Sequence, residues 1–281
     1  MRIVHLGNDA PGAFTALRQD FTDSNPGYDL SYHGGCERLD PLESTRVGFV
    51  QGGAAVASVG EERSDLLIGD LVVLRAGHEL VIDGRLDLVV FDVPTPAPND
   101  VPVFVRPDHD LRITDTPGGC ATKGDAYRRV LLTWLDENGP YRWRALNTHR
   151  VRMHDSFSHF HPHDGGFDEM YLVQDAPPGA RLYTSSKVDR IEQATGVTAA
   201  EAVDLVDCTP LTTGDLVWVG RGAMHRAVGG VLAHVITVPG FVPGAEIGLD
   251  HHLRALNERL GLSGDAALPF NAEASLGPVV K

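Results

Sequence analysis

The chain has 281 residues, of which 42% are hydrophobic and 22% charged. That is ordinary for a globular protein and long enough for one large domain or two of usual size. The formal net charge of −14 lacks the basic footprint that nucleic acid or an anionic membrane demands, so neither partner is expected, although a local arginine cluster would still hold an anion.

The first residues, MRIVHLGNDAPG, carry no long apolar run of the secretory kind. No stretch approaches the ~18 apolar residues of a membrane-spanning helix. Cys36, Cys120 and Cys208 form no CxxC pair and are odd in number, which fits free thiols in a reducing compartment. A soluble, cytoplasmic protein is expected.

Along the chain, TRVGFVQG, AAVASVG, DLVVLRAG and LDLVVFDVP are short apolar runs punctuated by glycine. Such spacing predicts strands of a sandwich or barrel. The proline-rich stretch over 95–110 cannot supply central strands and reads as a connection. Beyond it the pattern repeats. GDLVVLRAGHEL from Gly69 resembles GDLVWVGRGAMH from Gly214, and VGFVQGG from Val47 resembles MYLVQDA from Met170. The chain therefore reads as two copies of one β unit: a first unit over 1–95, a linker over 96–124, a second unit over 125–245, and a tail over 246–281.

The second copy is longer. Eighteen positions separate Gln51 from Gly69, whereas forty separate Gln174 from Gly214. The excess contains KVDRIEQATGVTAAEAVDLVD, predicted as a helical insertion, with Thr198 as N-cap and Glu201 completing a capping box. In the tail, Leu249, Leu253, Leu256 and Leu260 share a helical face. Gly261 is placed to end that helix and Asp250 to cap it.

The densest chemical signal is HDSFSHFHPHDGGFDEMYLV, starting at His154. Residues two apart in a strand share a face, so His159, His161 and His163 would project together. After a turn at Gly165 and Gly166, Glu169, Tyr171 and Val173 share a face. Converging imidazoles and a carboxylate inside a barrel are costly unless something satisfies them, and a divalent cation would.

These two segments together resemble the cupin superfamily, whose motifs are G(x)5HxH(x)3–4E(x)6G and G(x)5PxG(x)2H(x)3N. Gly214, Gly222 and His225 match the second motif in register, with Gly220 and Gly229 at its usual Pro and Asn. His159, His161 and Glu169 match the first. Seven residues separate His161 from Glu169, more than the motif contains, so His163 competes as a ligand. The Gly165–Gly166 turn and Pro162 after the second histidine favour His159 and His161. Gly179 arrives late for the motif's last glycine.

The resemblance implies an all-β fold of two jelly-roll cupin barrels. It also implies a metal held by His159, His161, Glu169 and His225. Such a shell leaves open positions and suits Fe2+, Mn2+, Ni2+ or Zn2+. In the first copy Leu80 stands in the place of His225 and Arg46 in that of Glu169, with His33 alone upstream. That barrel is expected to be structural, supporting the second barrel or a homodimer interface. His5 and His78 are not expected to be ligands.

Arg150, Arg152, Tyr183 and Arg221 lie on or beside the motif strands. Strand alternation puts Arg150 and Arg152 off the ligand face, as ordinary outward residues. Tyr171 shares the face of Glu169, and these two are the candidate proton carriers. His251 and His252 read as the start of the tail helix. EMYLVQDAPPGARLYTSS resembles the uronate isomerase group, 5-deoxyglucuronate isomerase included. That likeness implies a metal-dependent isomerase of a sugar acid or hydroxy-carbonyl metabolite. An Fe(II)-dependent dioxygenase and a non-catalytic metal- or ligand-binding cupin are the alternatives.

Overall fold

Glycine-bounded apolar runs build two sheets in this computed structural model, which describes every residue except 10, 120, 122–125 and 136. In the first sheet the order is Glu62–Leu66, Ala55–Val59, Leu80–Val93, Thr45–Gly53, Leu71–Leu74 and Phe104–Val105. Asp29–Leu39 adds to Leu80–Val93. In the second sheet the order is Arg2–His5, Asp215–Val219, Asp168–Asp175, Met224–Val238, Asn147–Asp155 and Arg128–Leu132. His159–Phe160 and Arg181–Ser185 also pair with Met224–Val238.

Two assignments differ from the sequence pattern. Arg2–His5, at the start of the first unit, pairs with Asp215–Val219 of the second sheet. Phe104–Val105, within the proline-rich connection, pairs with Leu71–Leu74. Both are short edge strands, where a ladder has a free side and proline nearby is tolerated.

The central strands read as unbroken apolar runs because both faces are buried. In Asp168–Asp175, Met170 and Leu172 enter a shared core with Val47, Phe49, Leu71 and Phe91 of the first sheet. Tyr171 and Val173 point the other way, into the interior with Val151, Val217 and Val235. The first unit has its own interior around Val50, Val72, Leu74, Leu80 and Val90. Alternation thus serves two cores at once.

The internal repeat is visible in the backbone. Arg46 pairs with Leu74 as Glu169 pairs with Val219. Gly69 and Gly214 share a φ of 99°, a left-handed conformation that glycine adopts without strain. Gly77 and Gly222 follow with φ of 78° and 80°.

The insertion forms short helices. Thr198 caps the last of these and makes a reciprocal capping box with Glu201. The tail helix spans Asp250–Leu260 and ends on left-handed Gly261. Leu249, Leu253 and Leu256 pack against Ile191 and Val197 of the insertion, with Leu260 at the margin. Asp250 is not the cap. It sits buried in the first turn, where its carboxylate accepts the backbone N–H groups of Ser158 and Asn271, both at 2.8 Å. It thereby ties the tail helix to the residue before His159.

Candidate metal centre

The strand His159–Phe160 is pinned between two neighbours. His159 pairs with His225 on one side and with Gly248 on the other. Just past it, the backbone N–H of Gly222 donates to His161 O at 2.7 Å. That bond joins the two histidine motifs. The long gap before Glu169 is taken up by a tight turn. A Cβ on Gly166 would lie 2.1 Å from Pro162 O, so only glycine fits there.

The fold gathers His159, His161, Glu169 and His225, all buried. One ligand atom from each lies within 4.8 Å of the others. Ligands about 2.0–2.2 Å from a common ion would show separations of this size. His225 Nε2 is 3.3 Å from Glu169 Oε1, and His161 Nε2 is 3.8 Å from Glu169 Oε2. Yet His159 Nε2, His161 Nε2, Glu169 Oε1 and His225 Nε2 all lack a hydrogen-bond partner. Four sealed, unsatisfied polar atoms aimed at one point fit a divalent cation.

The back sides of two rings are fixed. The Nδ1–H of His159 donates to Phe157 O and that of His225 to Ala223 O, both at 3.2 Å. This leaves each Nε2 lone pair for a ligand, the usual way in which a backbone carbonyl orients a metal-binding histidine. Phe157 stacks on His159 at 4.2 Å and Phe167 lies 3.9 Å from His161. Burial keeps His159 neutral well below the usual imidazole range and pulls His161 down to about 3. Burial alone would raise Glu169, but His225, then His161 and His159, outweigh it and hold the carboxyl ionised. Neutral imidazoles and an ionised carboxylate are the forms a cation needs.

His163 lies apart from this cluster. It is exposed, and its ring sits over Gly222, where a Cβ would meet Nε2 at 2.1 Å. Tyr171 is buried in the barrel interior, 6.1 Å from the His225 ring.

A cavity of about 170 Å³ opens beside Glu169. Arg128, Val130 and Leu132 line it from one strand, alternate residues on one face. Asn147, Thr237 and Glu169 form a row across three paired strands. His149, Trp134, Phe241, Glu246 and Lys281 also line it, together with the polar Thr133, Asn138 and Thr148. His149 is absent from the sequence-derived candidates, although the odd-position rule that disfavours Arg150 puts it on the ligand face. Glu246 carried no motif at all. It reaches the cavity because its backbone exchanges hydrogen bonds with Lys281, at 3.1 and 3.0 Å. Burial, with the Glu169 charge, pushes its carboxyl up to about 7.

A second polar group stands behind Glu169. Fully buried Asp168 accepts from Asn25 Nδ2 at 2.6 Å, Trp218 Nε1 at 3.1 Å and the backbone N–H of Arg221 at 3.1 Å. Arg221 donates in turn to Asn25 Oδ1 at 3.0 Å and Ser24 O at 3.3 Å. The end of helix Pro11–Ser24 thus latches both the Glu169 strand and the loop leading to His225.

The expectation of an exposed Arg150 is corrected. It is buried between the sheets, donating to Gln174 at 2.6 Å, Asp108 at 2.6 Å and the Tyr127 hydroxyl at 2.7 Å. Its guanidinium fills the space that a Cβ on Gly69 would enter. Arg152 donates to Asp175 and to Gly230 O. Tyr183 carries the Arg226 guanidinium over its ring. His251 and His252 lie side by side in the tail helix, and neither lines the cavity. Exposed His78 and half-buried His5, which bonds Asp215, stand away from the cluster. Cys36 and Cys208 are free thiols, and Cys120 lies outside the described residues. Among those residues, no helix is long and apolar enough to cross a membrane.

No family model matches the sequence, and no curated protein matches it. Solved structures do. One is an oxalate decarboxylase studied for an element that modulates proton-coupled electron transfer. It is 12% identical, with a TM-score of 0.50 over 85% of this chain and 77% of that one. Another is a deletion mutant of the Bacillus subtilis oxalate decarboxylase, also 12% identical, with a TM-score of 0.50 over 91% of this chain and 80% of that one. Identity this low speaks for the fold alone. The chain has the all-β cupin fold, with two barrels in one polypeptide and a cluster in the second barrel suited to a divalent metal.

Proposed function

We propose that the protein is a metal-dependent enzyme acting on a small oxygen-rich metabolite. In this reading His159, His161, Glu169 and His225 hold one divalent ion, Fe2+, Mn2+, Ni2+ or Zn2+. The observation that carries it is the set of four buried, unpartnered ligand atoms beside a cavity that Glu169 itself lines. A bound ion would supply Lewis acidity toward a carbonyl or hydroxyl oxygen.

The chain's own residues supply the rest. Phe157 O and Ala223 O hold the imidazoles in the ligand tautomer. Trp134 and Phe241, stacked at 5.2 Å, keep one wall of the cavity dry. Glu246 is the group placed to take a proton from substrate and return it, since a carboxyl pushed up to about 7 works in both directions near neutral pH. Tyr171 shares the barrel interior but does not line the cavity, so in this reading the proton carrier is Glu246.

Reversible proton movement suits an isomerase of a hydroxy-carbonyl compound or sugar acid. The likeness of the EMYLVQ segment to the uronate isomerase group supports that class. The second reading is an Fe(II)-dependent dioxygenase, favoured by the apolar wall of Val130, Leu132, Trp134 and Phe241. The test is elemental analysis of protein purified without chelator, followed by a metabolite screen by NMR with and without oxygen. The expected result is one transition metal per chain and turnover that needs no O2. Turnover strictly dependent on Fe2+ and O2 would replace the isomerase by the dioxygenase. Metal binding without any turnover would leave a binding protein. Retention of metal by both His161→Ala and Glu169→Gln would refute the site.

A further inference from the structure

The four ligand atoms are sealed, although a cavity runs beside Glu169. An ion or a substrate reaches them only if part of the wall moves. One stretch of that wall is held lightly. Residues 279–281 lie along Ile247–Gly248 through a single bridge, between Ile247 and Val280. The Gly248 N–H donates to Val279 O at 2.8 Å and the Lys281 N–H to Glu246 O at 3.0 Å. Lys281 O accepts from the N–H groups of Glu246 at 3.1 Å and Gly244 at 2.9 Å. Side chains add little to this hold, since Val280 is 62% exposed and Leu276, just before the stretch, is 77% exposed. An edge segment ordered by backbone bonds, with few buried side chains, opens locally at small cost.

The same stretch stands between two cavities. Lys281 and Gly119 line both the one of about 170 Å³ beside Glu169 and a second of about 200 Å³, which Asp155, Phe157, Asn271 and Val279 also line. Lys281 Nζ lies 4.4 Å over the Phe157 ring, and Phe157 stacks on His159 at 4.2 Å. The Lys281 charge, with that of Arg128, acts on Glu246 and favours its ionised form against the effect of burial. One residue thus holds the Glu246 backbone, bears on its carboxyl and covers the ring that backs a metal-binding histidine.

Resting on the metal-enzyme reading above, we infer that residues 279–281 form a gate. They lift from Ile247–Gly248 to admit ion and substrate by way of the second cavity, and reseat to close the site. Gly248 makes the seat. A Cβ there would lie 3.0 Å from Val279 Cβ and 3.1 Å from Val279 O, so a side chain would push the strap aside. Closure also completes the backbone bonds that fix Glu246, so the proton carrier is fully placed only when the gate is shut.

The test measures zinc uptake, and zinc loss to excess chelator, by the full chain, together with amide hydrogen exchange of the metal-free chain. Gly248→Ala crowds the seat and Lys281→Pro removes one backbone bond. Each should speed uptake and loss alike by about tenfold. The affinity, which is their ratio, should change less than about threefold, because a gate alters the path and favours neither end state. Lys281→Ala, which keeps the backbone bonds, should speed them less. In the metal-free wild type the Glu246 and Gly248 amides should exchange together, at least about tenfold faster than those of Asp168–Asp175. Unchanged rates in both Gly248→Ala and Lys281→Pro, a loss of affinity as large as the gain in release rate, or strap amides as slow as the central strand each overturn the inference. The exchange comparison needs no variant, so it decides even if Lys281→Pro misfolds. Failure of the wild type to hold zinc refutes the metal reading instead, and amide exchange in the metal-free chain still decides the gate.

Discussion

The two barrels occupy the same register and carry different chemistry. Where His159 pairs with His225 in one, Leu39 pairs with Leu80 in the other. Where Glu169 pairs with Val219, Arg46 pairs with Leu74. Arg46 donates to Asp40 O at 2.7 Å and His78 O at 3.2 Å, bonds made wholly within its own barrel. Leu80 is sealed among Val72, Leu74 and Val90. The scaffold therefore does not need the ligand set. Strand pairing and paired glycines make the barrel, and the imidazoles are a separate layer of information written on it.

Exchanging residues between equivalent positions tests that view with the largest expected effect. His225→Leu should reduce metal affinity more than 100-fold, read by competition with a chelator, since it removes a ligand outright. In metal-free protein the same change should alter stability by less than about 1 kcal/mol in urea unfolding, because loss of an unsatisfied buried nitrogen is offset by loss of the imidazole beside Glu169. Leu80→His should cost about 2–5 kcal/mol without creating a metal site. A His225→Leu variant that destabilises the metal-free protein as much as Leu80→His does would show the histidines to be structural.

A smaller effect separates the barrels by pH. Glu246 belongs to the side with the histidine cluster only, and its carboxyl is pushed up from 4.5 to about 7. The native state thus prefers its protonated form. That contribution is present below pH ~4.5 and is lost as pH rises toward 7. Metal-free Glu246→Gln, neutral throughout, should match the wild type near pH 4 and exceed it by about 3 kcal/mol at pH 8. Equal stability at both pH values would remove Glu246 as a proton carrier.

The smallest effect concerns what the first unit gives to the second. Asn25→Ala withdraws one of the donors to Asp168 and should cost about 1–2 kcal/mol. It should also weaken metal binding about tenfold, as loss of a residue orienting a ligand does. Asn25→Asp, which places like charges together, should be worse. Unchanged metal affinity in both would make the latch a staple and nothing more.

The gathering of His159, His161, Glu169 and His225 was legible in the sequence because these residues fall in two short motifs whose spacing follows strand geometry. The empty barrel was legible because the repeat preserves register at Gly69 and Gly214. The cavity was less so. His149 follows from alternation once His161 fixes the face. Glu246 and Lys281 come together only through their mutual backbone pairing. Asp168 and Asn25 meet from opposite halves of the chain, and nothing local marks either. Arg150 looked like an outward residue because charge usually seeks water; it is buried here because Gln174, Asp108 and Tyr127 satisfy it.

The strand Arg2–His5 forms the edge of the second sheet, against Asp215–Val219. Remove it and the backbone of a strand rich in valine, leucine and tryptophan stands open, a ready template for self-association. The two barrels are therefore not modules that can be cut apart at the proline-rich connection. The second sheet gains this edge strand only when the start of the chain returns to it, a long-range pairing of the kind that slows folding.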